Sequence, residues 1–324
     1  MAFGLLIAAM AAAVVVGMLL GGGATPTKLA DAGDIVRWGL PLAKGLTNLG
    51  TALAIGTLAF AAFVLSAKTP QLTKAMNLAA AGAGVWTIFG AISFLFTYLS
   101  VTGSAFSTSD NFGQSLWLFA TTIELGRYLA MNLIFGAILT ILALSFQSLT
   151  ASLLLAAFGL LGLVPIALTG HAAGAANHAM AVNSIGLHLV AVTIWVGGLV
   201  ALVAVRDADA ERQANLVKRY STLALLAYMV VAISGIAVSM INLGKFENLF
   251  TPYGWLVLLK AGALLLLGAI GGHYRVRLIG KMATLPAKAK EFWLIVIGEL
   301  LVMGAAVGLG TALSRTAPPQ DPLA

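Results

Sequence analysis

The fold class predicted is an all-α integral membrane protein, a polytopic helical bundle of about nine transmembrane helices. Two observations carry this. Of 324 residues, 60% are hydrophobic and only 9% charged, with a mean hydropathy of +1.00. A soluble domain carries about 25% charged residues, so most of this surface must face lipid. In addition, nearly the whole chain divides into apolar runs of about 18 to 25 residues, the length that spans a bilayer as helix. A strand barrel would show alternating segments of about ten residues, and none occur.

The spans fall at about 4–22, 46–67, 78–102, 128–149, 151–170, 179–205, 221–242, 255–272 and 291–313. The first lacks the basic leader of a secretory signal and is read as a helix. Before spans two and four lie "DAGDIVRWGLPLAKG" and "NFGQSLWLFATTIELGR". Both are amphipathic enough to lie in the interface, with Trp38 and Trp117 at headgroup level. Glu124 and Arg127 read as anchors at the outer end of span four. The short "SFQSLT" joins spans four and five as a tight hairpin. It divides a four-helix region, 1–150, from a five-helix region, 151–315, with a short tail at 316–324.

Orientation follows from lysine and arginine. The loops after the second, fourth, sixth and eighth spans hold eleven of them, chiefly in "RDADAERQANLVKR" and "YRVRLIGKMATLPAKAK"; the other side holds six, and Lys260 lies inside a span. Basic residues concentrate in cytoplasmic loops. The N-terminus is therefore expected in the cytoplasm and the C-terminus outside. The same rule accounts for the net charge of +7 without a nucleic-acid partner.

The chain has no cysteine, which excludes disulfides and thiolate metal sites. No nucleophile with an adjacent base, paired carboxylates or phosphate-binding loop is present, so an enzyme is not expected. The chemistry concentrates in "TGHAAGAANHAMAVNSIGLHLVAVTIWVGGL", residues 169–199, which holds three of the four histidines. His171 and His178 stand seven apart, with Met180 just beyond. Imidazole and thioether suit copper, whereas hard oxygen ligands for magnesium or calcium are missing. His188 lies roughly 13 Å into the sixth span, where an ionisable side chain by default marks function. Trp195-Val-Gly-Gly198 follows; its glycines suit close helix packing.

Two charges lie within spans. Lys260 is near enough to the outer end of span eight to snorkel. Glu299 lies near mid-membrane in span nine, with Met303 on its face at i+4, and Met229 falls at comparable depth in span seven. These form candidate soft-ligand and gating steps. His273 reads as a surface histidine. A second reading is a haem cytochrome, with His188 and His171 or His178 as axial ligands; a third is a membrane scaffold with His188 structural. The GxxxG spacings at Gly268–Gly272 and Gly304–Gly308 permit helix association.

From about Gly170 to Pro319 the chain resembles the copper-resistance protein D family of bacterial inner-membrane proteins. The features are "GHA" at 170–172, "HLVAVTIWVGGLVAL" at 188–202, "KRYSTLALLAYMVVAISGIA" at 218–237, "TPYGWLVLLK" at 251–260 and "GELLVMGAAVGLGTAL" at 298–313. The resemblance implies copper transfer across the plasma membrane from the outer side, with a periplasmic copper chaperone or an oxidase assembly factor as partner. It implies roles for His171 and His188 as the family's histidines, for Trp195, Gly197 and Gly198, for Lys260 as its buried lysine and for Glu299 as its last-helix acid. Residues 1–150 carry no motif that the resemblance reaches.

Overall fold

The computed structural model describes residues 2–26, 31–169, 178–206, 209–277 and 286–319. Among the described residues every regular element is helical: α1 (Ala2–Leu20), α2 (Asp34–Thr51), a π-turn (Ala52–Gly56), α3 (Thr57–Val64), α4 (Pro70–Thr102), α5 (Asp110–Thr121), α6 (Glu124–Ser145), α7 (Leu149–Leu161), α8 (Val164–Ala167), α9 (His178–Ala204), α10 (Ala210–Leu243), α11 (Pro252–Arg277) and α12 (Pro286–Leu313). A short 3-10 turn covers Phe246–Phe250. Nine helical stretches among the described residues are long and apolar enough to cross a membrane. They alternate in direction, so α1, α4 and α12 finish at the end of the bundle where α9 begins, here the upper end.

Local chemistry sets the boundaries. Thr69 caps α4, its hydroxyl accepting the Leu72 N–H at 3.3 Å, with Pro70 at the first position, where a missing N–H costs nothing. Gly103 stops the helix in the left-handed conformation, φ +64°, open to glycine at little cost. Ser148 caps α7 by accepting the Ala151 N–H at 3.1 Å, which makes the "SFQSLT" hairpin tight. Asp209 caps α10 through the Arg212 N–H at 2.9 Å, and that bond holds its carboxyl below the usual carboxylate range.

One expectation is corrected. Residues 34–45 are no separate interfacial loop: α2 starts at Asp34 and runs through the π-turn into α3 as one 31-residue helical stretch. Leu40, Pro41, Ala43 and Gly45 are buried in it, and Trp38 packs against the core. The buried side of this amphipathic segment is covered by protein rather than by headgroups. The second segment does form a separate short helix, α5, with Trp117 exposed.

That α2–π–α3 stretch is the centre of the bundle. In its most apolar window 78% of residues are buried, against 22–56% in the other spans. Helices approach it where side chains are absent. A Cβ on Gly82 of α4 would stand 2.6 Å from the Ala54 nitrogen, and one on Gly50 of α2 2.5 Å from the Trp86 nitrogen. On α9, a Cβ on Gly197 would collide with the Ala52 carbonyl, and one on Gly56 with the Thr193 carbonyl. The two backbones therefore cross in direct contact, the arrangement small residues permit inside a bilayer.

The chain's two ends close on each other. α1 and α12 run parallel, with Gly304 against the Leu6 carbonyl and Gly308 against the Met10 carbonyl, while a Cβ on Gly17 would stand 2.5 Å from Ala312 Cβ. The GxxxG spacing at 304–308 is thus an interface within the chain. At 268–272, Gly268 receives the Tyr228 hydroxyl and Gly272 meets open space. Away from the centre, buried Trp86 donates to Asn132 Oδ1 at 3.0 Å, and Asn132 Nδ2 to the Gly162 carbonyl at 2.7 Å, tying α4, α6 and the end of α7.

At the lower end arginines tie helices together. Arg219 donates to the Phe63 carbonyl at 2.8 Å, Arg275 to the Ser221 carbonyl at 2.9 Å, and Arg206 lies 5.0 Å over the Trp293 ring.

The crossing generates a sharp expectation. Gly197→Ala should destabilise the folded protein by about 3 kcal/mol, the upper end of ordinary overpacking. Gly84→Ala, at a site where an added Cβ meets nothing within 4 Å, should be neutral or slightly stabilising. Thermal unfolding in detergent, the two variants side by side, checks this.

Candidate functional site

The site is built on the facing sides of α9 and α10. Ala181, Ile185, His188 and Trp195 recur at helical spacing along one face of α9. Across from them, Val238, Ile241 and Asn242 of α10 join Ala181 and Ile185 in lining a narrow cleft toward the upper end. The half-buried His188 lies one turn below Ile185.

Its imidazole is held by α10. Nδ1 lies 3.1 Å from Ser234 Oγ, and buried Ser234 donates its hydroxyl hydrogen to the Val230 carbonyl at 2.5 Å. A serine hydroxyl has one hydrogen to give. With that hydrogen on Val230, Ser234 accepts from His188, so Nδ1 carries the proton. Gly235 makes room for the ring: a Cβ there would stand 3.6 Å from His188 Cε1. The Val231 carbonyl lies beside the ring as well, so α10 meets the imidazole at two points. A ligating imidazole is commonly oriented in this way, by a neighbouring group that engages one ring nitrogen.

Lys260 and His188 come to similar depth. Each lies roughly 12–15 Å from the upper end of its helix at 1.5 Å per residue, and the lysine's charge reaches the imidazole. The half-buried Lys260 side chain rises to α12, where a Cβ on Gly310 would stand 3.5 Å from Nζ. Gly310 is three residues from the upper end of α12, so the side chain points toward that end. Glu299, Met303 and Gly310 fall on one stripe of α12, and Glu299 and Met303 are buried at 1% and 2% exposure. The stripe thus runs from the mid-membrane acid to the end of Lys260.

Trp195 lies two turns below His188 on the same face. Its ring meets Tyr228 edge-on, with centroids 5.5 Å apart at 86°, and its carbonyl accepts from the Tyr220 hydroxyl at 2.7 Å. The Tyr220 ring covers Gly198, and the Tyr228 hydroxyl lies over Gly268 of α11. The Trp-x-Gly-Gly stretch is therefore a packing node, two turns below His188.

Not every candidate is drawn in. Met180 and Met229 are 57% and 51% exposed on the outside of the bundle; Met229 is five residues from Ser234, which turns it well away from the facing side. His273 is exposed at the lower end of α11. His171 and the His178 side chain lie outside the described residues. Among the described residues no three histidine, aspartate or glutamate side chains converge as a metal cluster. Ser234, Gly235 and Tyr228 were missed from sequence; the signal was a small polar pair, Ser-Gly, inside span seven.

Comparison with known proteins adds family context. Residues 29–181 match the family described as copper resistance protein D-like, N-terminal domain, and residues 214–313 match copper resistance protein D. The copper transport protein CutJ of Bacillus subtilis (strain 168) is 32% identical over 161 residues, 47% of this chain and 29% of that protein. The chain thus aligns with well under two thirds of that relative's length. No solved structure matches. The N-terminal match reaches helices for which the sequence offered no motif, and the two matches together take in most of the chain. Both matches are to copper resistance protein D families, one over the N-terminal part of the chain and one over the C-terminal part.

Proposed function

We propose that this multi-pass membrane protein handles copper ions as its substrate, moving them inward across a bacterial plasma membrane without enzymatic chemistry. The observation that carries the reading is His188. It is a membrane-embedded imidazole whose Nδ1 is oriented by Ser234, in a chain that matches families named for copper.

In this reading the upper end faces outside, as the lysine and arginine distribution favours. His171 and His178, with Met180 nearby, capture the ion, and His188 receives it. Soft ligands suit successive exchange, because no single site needs to hold tightly. Lys260 repels a cation held on the imidazole and so favours its onward release, and Glu299 with Met303 continues the path along α12. Trp195 and Tyr228 pack against each other below His188, and their parting is the gate. A periplasmic copper chaperone as donor and an oxidase assembly factor as recipient fit this direction of transfer.

Two outcomes are expected. His188→Ala should reduce copper accumulation in copper-challenged cells to the level of cells lacking the protein, with folded protein undiminished. Metal content by mass spectrometry and membrane-fraction blots give both readings, and unchanged accumulation would refute the role. Ser234→Ala should weaken copper binding by about tenfold or more, the usual effect of losing the group that orients a ligating histidine, while Ser234→Thr should retain it. Nitrogen-15 NMR of labelled histidine should show protonated Nδ1 and bare Nε2 in wild type and a mixture of tautomers in Ser234→Ala.

A further inference from the structure

Two basic side chains lie toward the upper end of the bundle with no opposite charge beside them among the described residues. Lys44 comes from α2 and Arg315 from the turn after α12. The register of α2 on α4 fixes the first: Thr47 and Ser93 hydroxyls hydrogen-bond at 3.2 Å, and Gly39 packs against the Phe96 ring, where a Cβ would stand 2.5 Å from Cε2. Lys44 lies between these contacts, and Ser100 stands one turn beyond Phe96. The second is fixed by the α1–α12 packing. The Arg315 carbonyl abuts Gly23, and buried Thr316 donates to the Ala312 carbonyl at 3.1 Å.

Arg315 Nη1 reaches Ser100 Oγ at 3.4 Å, a long contact. Its Nε is buried and has no hydrogen-bond partner among the described residues, although a guanidinium offers five donors. Lys44 lies within reach of the Arg315 charge and makes no hydrogen bond or ion pair among the described residues. Arg37, at the same end, differs: it is paired with both Asp31 and Asp34. Two like charges, partly withdrawn from water, repel each other and have not replaced the hydration they lost. Burial pushes the Arg315 guanidinium below its ordinary pKa, a direction that an adjacent anion would reverse.

We propose that Lys44, Arg315 and Ser100 form an oxyanion site that takes a phosphate group at the upper membrane surface. A planar fork beside a point charge and a hydroxyl matches a tetrahedral oxyanion. Arg315 lies two residues past α12, at headgroup level, where basic pockets between helices take lipid phosphates. The same chemistry is carried by a phospholipid headgroup and by free phosphate. The site shares no residue with the copper path and stands or falls separately from it.

The test follows thermal unfolding of the full chain in neutral detergent while phosphatidylglycerol micelles, or sodium phosphate balanced with sodium chloride, are titrated in. Phosphatidylglycerol should protect the wild type. Lys44→Gln and Arg315→Gln should each raise its half-saturating concentration about tenfold, as expected for losing a charge-assisted hydrogen bond. Lys74→Gln, exposed at the opposite end, should leave it unchanged. Protection by sodium phosphate alone, lost in the same variants, would support the site and assign it to the free ion. A wild type indifferent to both, or variants that respond like wild type, would overturn it. If the glutamine variants do not fold, native mass spectrometry of the wild type decides: a retained phosphatidylglycerol or phosphate supports the site, and its absence refutes it.

Discussion

The bundle is organised around one backbone crossing. At Gly197 and Gly56, α9 and the π-turn after α2 meet with no side chain between them. Lipid tails offer helices no hydrophobic incentive to associate, so close backbone packing must supply the attraction. The π-turn would be costly facing lipid; here all five of its residues are buried, which is the condition under which irregular backbone survives at membrane depth. The crossing also sets the depth of everything else on α9. His188 stands nine residues above Gly197, roughly 13 Å, and Trp195 stands between them. A shift at the crossing would therefore move the imidazole relative to Ser234, whose hydrogen bond defines its ligand atom.

The spans were legible because lipid demands long apolar runs, and a single solvent acts on every helix alike. What surrounds each span was not legible for the same reason. In a chain where nearly every residue is apolar, periodicity says little about which face meets protein. Residues 34–45 looked interfacial because they are amphipathic, but their apolar side is covered by neighbouring helices that no local pattern announces. The site divided along similar lines. His188, Lys260 and Glu299 stood out as candidates because charge and imidazole are costly in a membrane, whatever they touch, and Met303 by its i+4 spacing from Glu299. Ser234 did not, because a hydroxyl can satisfy itself on its own helix, so the Ser-Gly pair in span seven is only a weak signal. Met180 and Met229 were legible as ligand types, yet a methionine suits lipid as well as copper, and these two face outward.

The tyrosines of α10 show how polar groups serve packing here. Tyr220 and Tyr228 each lay an aromatic ring or a hydroxyl across a glycine of another helix, and Tyr220 also donates to a carbonyl. A hydroxyl at the end of a rigid ring allows a bulky side chain to fill a glycine notch without stranding a polar atom. Through them α10 touches α9 and α11 together, and α10 also carries Ser234. The helix that orients the histidine is thus the one that locks its neighbours.

The parallel pairing of α1 with α12 bears on how the molecule is made. α1 leaves the ribosome before the intervening spans and α12 after them, so the small-residue groove of α1, Gly17 included, stays without α12 while those spans are inserted. During that interval lipid or an insertion factor must line the groove. The arrival of α12 then fills the groove and delivers Arg315 to its place in the same step.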